Sequence, residues 1–140
     1  MLTGERPELG DNSGLRNGMN WSAIAAIFLA LAVGLGAFGA HGLRARLDPY
    51  SMSLWEKAVF YHFIHALGIL IASVMGRTSA VSEWACWALA AGVLIFSGSL
   101  YLLAVTGTRM LGAITPIGGL CFIAGWLLLA WHFISTGGKS

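Results

Sequence analysis

Charge is what this sequence has least of. Of 140 residues, 8 are Lys or Arg and 6 are Asp or Glu, or 10%. A water-soluble domain carries about 25% charged residues. The shortage is concentrated: the stretches Trp21 to Ala40, Ala58 to Gly76, Trp84 to Thr106 and Met110 to Ile134 contain no Lys, Arg, Asp or Glu. A helix that is apolar all round belongs in lipid, and this excludes an ordinary soluble domain. At 1.5 Å of rise per residue, about 20 residues cross a hydrocarbon core of roughly 30 Å. Each stretch is long enough, or nearly so, to span a bilayer.

Other absences narrow the function. A formal net charge of +2 is too small to point to nucleic acid, and the basic residues sit at span ends, where they anchor helices. No span carries the intramembrane carboxylate common in proton-coupled carriers. Cysteine is scarce: Cys86 and Cys121 lie at depths that differ by roughly 10 Å, beyond the reach of a disulfide, so both read as packing residues. The string Gly34-Leu35-Gly36-Ala37-Phe38-Gly39 matches the dinucleotide fingerprint, but it lies inside an apolar helix with no preceding strand.

What is present suggests an all-α integral membrane four-helix bundle, running up-down-up-down. The expected organisation is a disordered polar leader over 1–19, one four-span domain over 20–136 and a frayed tail over 137–140. The spans are placed at about 20–41, 54–76, 83–106 and 110–134. The leader mixes Glu5, Glu8 and Asp11 with Arg6 and Arg16, which argues for an uncleaved span and not a signal peptide. Span 1 carries small residues four apart, Ala26-Ala30-Gly34 and Ala32-Gly36-Ala40, which let helices approach closely in lipid. Ser53 and Glu56 form a capping-box pattern that starts the second helix near Leu54. Ser79 or Ser82 caps the third, and Pro116 sits in the first turns of the fourth. The basic residues divide evenly between the two sides. Discounting the remote Arg6 and Lys139 places both termini outside.

Alternating the spans gathers His41, Tyr61, His62, His65, Ser97, Ser99, Tyr101, Thr108 and Thr115 into one leaflet, with Glu56 at its edge. The opposite half holds Trp84, Trp87, Trp126, Trp131 and His132, an aromatic belt with a histidine anchor. His62 and His65 share a helix face, three residues apart. Ionisable groups inside a membrane point to function, whereas histidines, serines and tyrosines also serve as hydrogen-bonding glue between helices. A structural zinc needs four ligands and a catalytic one at least three. His62 and His65 alone have ligand spacing, so no metal and no cofactor is expected.

The strings Gly36-Ala-Phe-Gly-Ala-His-Gly-Leu43, Trp55-Glu-Lys-Ala-Val-Phe-Tyr-His-Phe-Ile-His-Ala-Leu67, Phe96-Ser-Gly-Ser-Leu-Tyr-Leu-Leu103 and Leu111-Gly-Ala-Ile-Thr-Pro-Ile-Gly-Gly119 resemble a small four-span membrane family. It is the domain of unknown function number 423, which includes transmembrane protein 256. The resemblance covers about residues 20 to 134. It implies a four-helix protein, typically of the bacterial inner membrane, and no defined activity. The family's motif residues map onto Gly39, His41, Gly42, Trp55, Glu56, Tyr61, His65, Ser97, Ser99, Tyr101, Thr115, Pro116 and Gly119. His62 departs from the pattern, where the family more often resembles Gln. That leaves His65 as the stronger candidate.

Three functions follow as expectations. The first is a non-enzymatic bundle whose polar leaflet is internal packing, with Gly34, Gly36, Gly39, Gly42, Pro116, Gly118 and Gly119 as close-packing positions. Its partners would be the bilayer and a homo-oligomer or another membrane protein. The second is a transport or ligand site for a proton, lipid headgroup or small solute, centred on His65 with Tyr61, Ser97 and Tyr101. The third is an enzyme or redox subunit, for which no nucleophile–base pair is visible.

Overall fold

The computed structural model describes residues 19–75 and 79–137. The expected polar leader, the end of the expected tail and the short connection at 76–78 lie outside the described residues, apart from Met19 and Gly137. Among the described residues, four helical spans are long and apolar enough to cross a membrane: Trp21–Leu43, Pro49–Met75, Ala80–Thr106 and Met110–Gly137. We label the α-helices α1 (Trp21–Phe38), α2 (Pro49–Met75), α3 (Ala80–Gly92), α4 (Gly98–Thr106) and α5 (Met110–Gly137). Two π-helical turns interrupt the spans. Gly39–Leu43 completes the first, and Val93–Ser97 joins α3 to α4 in the third.

The helix ends follow local chemistry. Asn20 caps α1, its side-chain oxygen accepting from the Ala23 amide at 3.1 Å. The second helix does not start at Ser53. Asp48 Oδ1 accepts from the amides of Tyr50 and Ser51 at 2.9 and 3.1 Å, and Asp48 Oδ2 accepts from the Ser51 hydroxyl at 2.6 Å. Pro49 then supplies the first helical residue, where a missing N–H costs nothing. Ser53 sits a turn inside the helix and donates to the Tyr50 carbonyl, so the Ser53–Glu56 capping box is not formed. Those hydrogen bonds, the Ser51 hydroxyl first, hold the Asp48 carboxyl below its usual range. Ser79 stands at the start of α3 without a side-chain cap, while Ser82 reaches across to the Ala72 carbonyl of α2 at 2.8 Å. Gly107, at φ 68°, closes α4, and its N–H bonds the Leu103 carbonyl at 2.9 Å.

The α2 helix packs against α1 on one side and α3 and α4 on the other, and α5 closes the bundle against α3, α4 and their π turn. Lipid supplies no hydrophobic drive between helices, so contact depends on close fit. The core accordingly uses small residues: Ala25, Ala32, Ala58, Ala66, Ala72 and Ala85 are fully buried. A Cβ on Gly92 would lie 2.4 Å from the Phe122 ring, and one on Gly125 would lie 2.7 Å from Leu89. The α3–α5 seam is therefore built from two reciprocal side-chain-into-glycine contacts. Large apolar residues such as Leu94, Leu120, Leu127 and Ile134 face outward, the inversion expected for lipid contact.

Candidate functional site

The polar half of the bundle is positioned by α2, the second π turn, α4 and the start of α5. The π turn brings its backbone against α5, because Gly118 has no Cβ: one built there would lie 2.4 Å from the Phe96 amide nitrogen. Phe96 is thereby aimed at Tyr61 of α2, with ring centroids 4.5 Å apart, and at Phe122 of α5, 5.4 Å apart.

His65 is closed into this aromatic set. Its ring stacks on Phe122 with centroids 3.4 Å apart and planes 13° from parallel. Tyr61 lies nearly parallel to it at 5.7 Å, and Trp126 covers another side at 6.1 Å. Nδ1 donates to the Tyr61 carbonyl of its own helix at 2.6 Å. Since a carbonyl can only accept, the proton sits on Nδ1. The residue is 5% exposed.

His62 turns elsewhere. Its ring is edge-on to Phe28 of α1 at 5.7 Å, and Nδ1 shares a hydrogen bond with the Tyr101 hydroxyl of α4 at 3.3 Å. Tyr101 in turn packs on Trp55 at 4.7 Å, whose indole N–H donates to the Leu35 carbonyl of α1 at 3.0 Å. The two histidines thus share a helix face in sequence but serve different neighbours. Among the described residues, no three His, Cys, Asp or Glu side chains converge.

A third group is the Ser99–Thr115 pair, bonded at 2.8 Å between α4 and α5. Each hydroxyl also lies within reach of a backbone carbonyl, Ser99 of Phe96 and Thr115 of Leu111, so one of the two donates across the pair and the other to its carbonyl. Ser97 is fully buried in the π turn, and neither its hydroxyl nor His62 Nε2 has a partner among the described residues. Thr108 is exposed, with its amide on Thr106 Oγ1 at 3.3 Å. His41 and Glu56 are exposed and stand apart from all three groups. The single network expected from sequence is three separate contacts in one half of the bundle.

The glycines sort unevenly. Gly39 lies under the Trp55 indole, 2.5 Å from Nε1 to a built Cβ. Gly36 approaches Val59, and Gly42 is crowded by Phe38 of its own span. Gly34 meets nothing and Gly119 only the rim of Phe96 at 3.9 Å, so neither is a close-packing position in this bundle. Pro116 is exposed within α5. Sequence reasoning missed Gly68, Gly92 and Gly125, which receive Trp126, Phe122 and Leu89. It also missed polar links in the other half: Ser22 bonds Ser73 at 3.0 Å, and Ser82 bonds α2. His132, expected as an interfacial anchor, is buried. Cys86 is buried, Cys121 is half-buried, and both are free thiols.

One concavity shares only Trp55 with these groups. An open-sided groove of about 380 Å³ runs between the first span and α2, with Arg44 and Glu56 among its lining residues and His65 absent from it.

Residues 35–119 match the family described as a protein of unknown function, DUF423. A UPF0382 membrane protein of Staphylococcus haemolyticus is 55% identical over 107 residues, covering 76% of this chain and 88% of that protein. The UPF0382 membrane protein YwdK of Bacillus subtilis is 44% identical over 109 residues, covering 76% and 89%. No solved structure matches.

Proposed function

The chain belongs to the DUF423 family of membrane proteins of unknown function, and from that premise we propose that it is a non-catalytic bundle whose polar half is internal packing. The observation that carries this reading is the enclosure of His65, stacked at 3.4 Å on Phe122 with its N–H used by its own helix. A transport or ligand site centred on His65 would need space at the ring, and the groove lies elsewhere. Tyr101, Ser99 and Thr115 bond neighbouring helices, the usual use of polar groups between membrane helices.

The bundle would act through assembly, with a second copy or another membrane protein. Support comes from the first span, which packs on α2 and leaves Ala26, Ala30 and Gly34 exposed on its other side. Small residues at that spacing admit a further helix at close range. The expected location is the bacterial inner membrane with both termini outside. Arg44, Arg46, Lys57 and Arg109 then flank the spans on the inner side, in keeping with the usual bias of basic residues. Blue-native electrophoresis after cross-linking in native membranes tests the assembly. A species larger than the monomer is expected, and monomer alone contradicts it.

A further inference from the structure

The groove between the first span and α2 carries two charges, Arg44 and Glu56, that the packing role does not use. Its floor is bare where Gly36 and Ala40 carry almost no side chain, and Trp55 and Phe63 form apolar walls. Arg44 and Glu56, both exposed, line the same groove. The depth is set by α2: at 1.5 Å per residue, its 27 residues measure about 40 Å, roughly 10 Å more than the hydrocarbon thickness. The surplus lies at the charged N-terminal end, which carries Glu56 and Lys57, so Arg44 and Glu56 stand at headgroup level. From Glu56 to Ile64 the groove descends about 12 Å, most of one leaflet.

We infer that this groove binds one phospholipid whose headgroup carries both a phosphate and a primary ammonium, with an acyl chain lying along the Gly36–Ala40 floor. The charge complementarity is two-sided. The Arg44 guanidinium matches a phosphate, and the Glu56 carboxylate accepts from an ammonium. A purely anionic lipid would satisfy Arg44 and meet repulsion from Glu56. A second copy of the chain would have to bring an opposite charge pair into an apolar trench, and the exposed small-residue face of the first span offers none. The inference goes beyond the packing role and does not depend on it.

The test is native mass spectrometry of the full-length protein, released from membranes in mild detergent and titrated with phosphatidylethanolamine or phosphatidylglycerol. One phosphatidylethanolamine is expected to be retained in preference to phosphatidylglycerol. Arg44→Gln should weaken both lipids, and Glu56→Gln should weaken phosphatidylethanolamine alone, each by roughly tenfold, the size of one charge-assisted hydrogen bond. Ala40→Phe fills the floor and should abolish retention while leaving the thermal midpoint in place. Should Ala40→Phe fail to fold, the two charge variants decide. Equal retention of both lipids, tighter phosphatidylglycerol binding, or unchanged retention in the charge variants overturns the inference. Loss of a dimer in Ala40→Phe without lipid selectivity also overturns it and assigns the groove to a second copy.

Discussion

Gly118 of α5 rests directly on the backbone of Phe96, so that a Cβ added to Gly118 would lie 2.4 Å from the Phe96 amide nitrogen. Backbone cannot yield as a flexible side chain can. Gly118→Ala should therefore force α5 off the π turn and destabilise the bundle by about 1–3 kcal/mol, the range for overpacking. Gly119→Ala, with its nearest neighbour at 3.9 Å, should stay within about 0.5 kcal/mol. Thermal unfolding in detergent distinguishes them, and equal midpoints for the two variants would contradict the packing described.

Gly39 and Trp55 make a second paired test. The indole bonds the Leu35 carbonyl at 3.0 Å and occupies the space a Cβ on Gly39 would need. Trp55→Phe should cost about 1 kcal/mol or more through the lost hydrogen bond. Gly39→Ala should displace the indole and shift Trp55 emission, whereas Gly34→Ala, which meets nothing, should leave both fluorescence and stability unchanged.

At the start of α2, Asp48→Ala should lower the thermal midpoint and Ser53→Ala should not, because the cap is Asp48. The folded protein holds the Asp48 carboxyl below its unfolded value of 3.8. The cap is therefore fully effective above that value and is lost as pH falls through the lower folded one. The difference between wild type and Asp48→Ala should be constant near neutrality and shrink below about pH 3.8. A gap that widens in acid would contradict the assignment.

His65→Ala should cost about 2–5 kcal/mol, as other large-to-small core changes do, since it empties the space against Phe122. Ser97→Ala should be neutral or stabilising, because its buried hydroxyl has no partner among the described residues. Unfolding in detergent separates them. A silent His65→Ala would argue for a ring that is not packed.

The four spans were legible because charge-free runs of that length have one stable environment. Their ends were less so. Two start signals compete before α2, Asp48-Pro49 and Ser53-Glu56, and the earlier one forms because Asp48 collects three donors while Ser53 bonds back to Tyr50. The π turns at Gly39–Leu43 and Val93–Ser97 leave no mark in apolar periodicity when every face is apolar. For the same reason, spacing named Gly34 but not Gly92 or Gly125: it cannot tell which side of an all-apolar helix meets a neighbour. Span alternation predicts a gathering of polar residues in one half, while Ser22–Ser73 and Ser82 make polar links in the other. The division of the gathered residues into His65–Phe122, His62–Tyr101 and Ser99–Thr115 depends on side-chain direction, which only the packed structure supplies.

The closed packing of His65 is tested most directly by its access to water. In a background with Cys86 and Cys121 replaced by alanine, His65→Cys and an exposed control, Arg44→Cys, can be treated in native membranes with a charged, water-soluble thiol reagent. Rapid labelling of the control and none at position 65 is the expected result. Labelling at position 65 at the rate of the control would show a water-filled path to the ring and contradict the account.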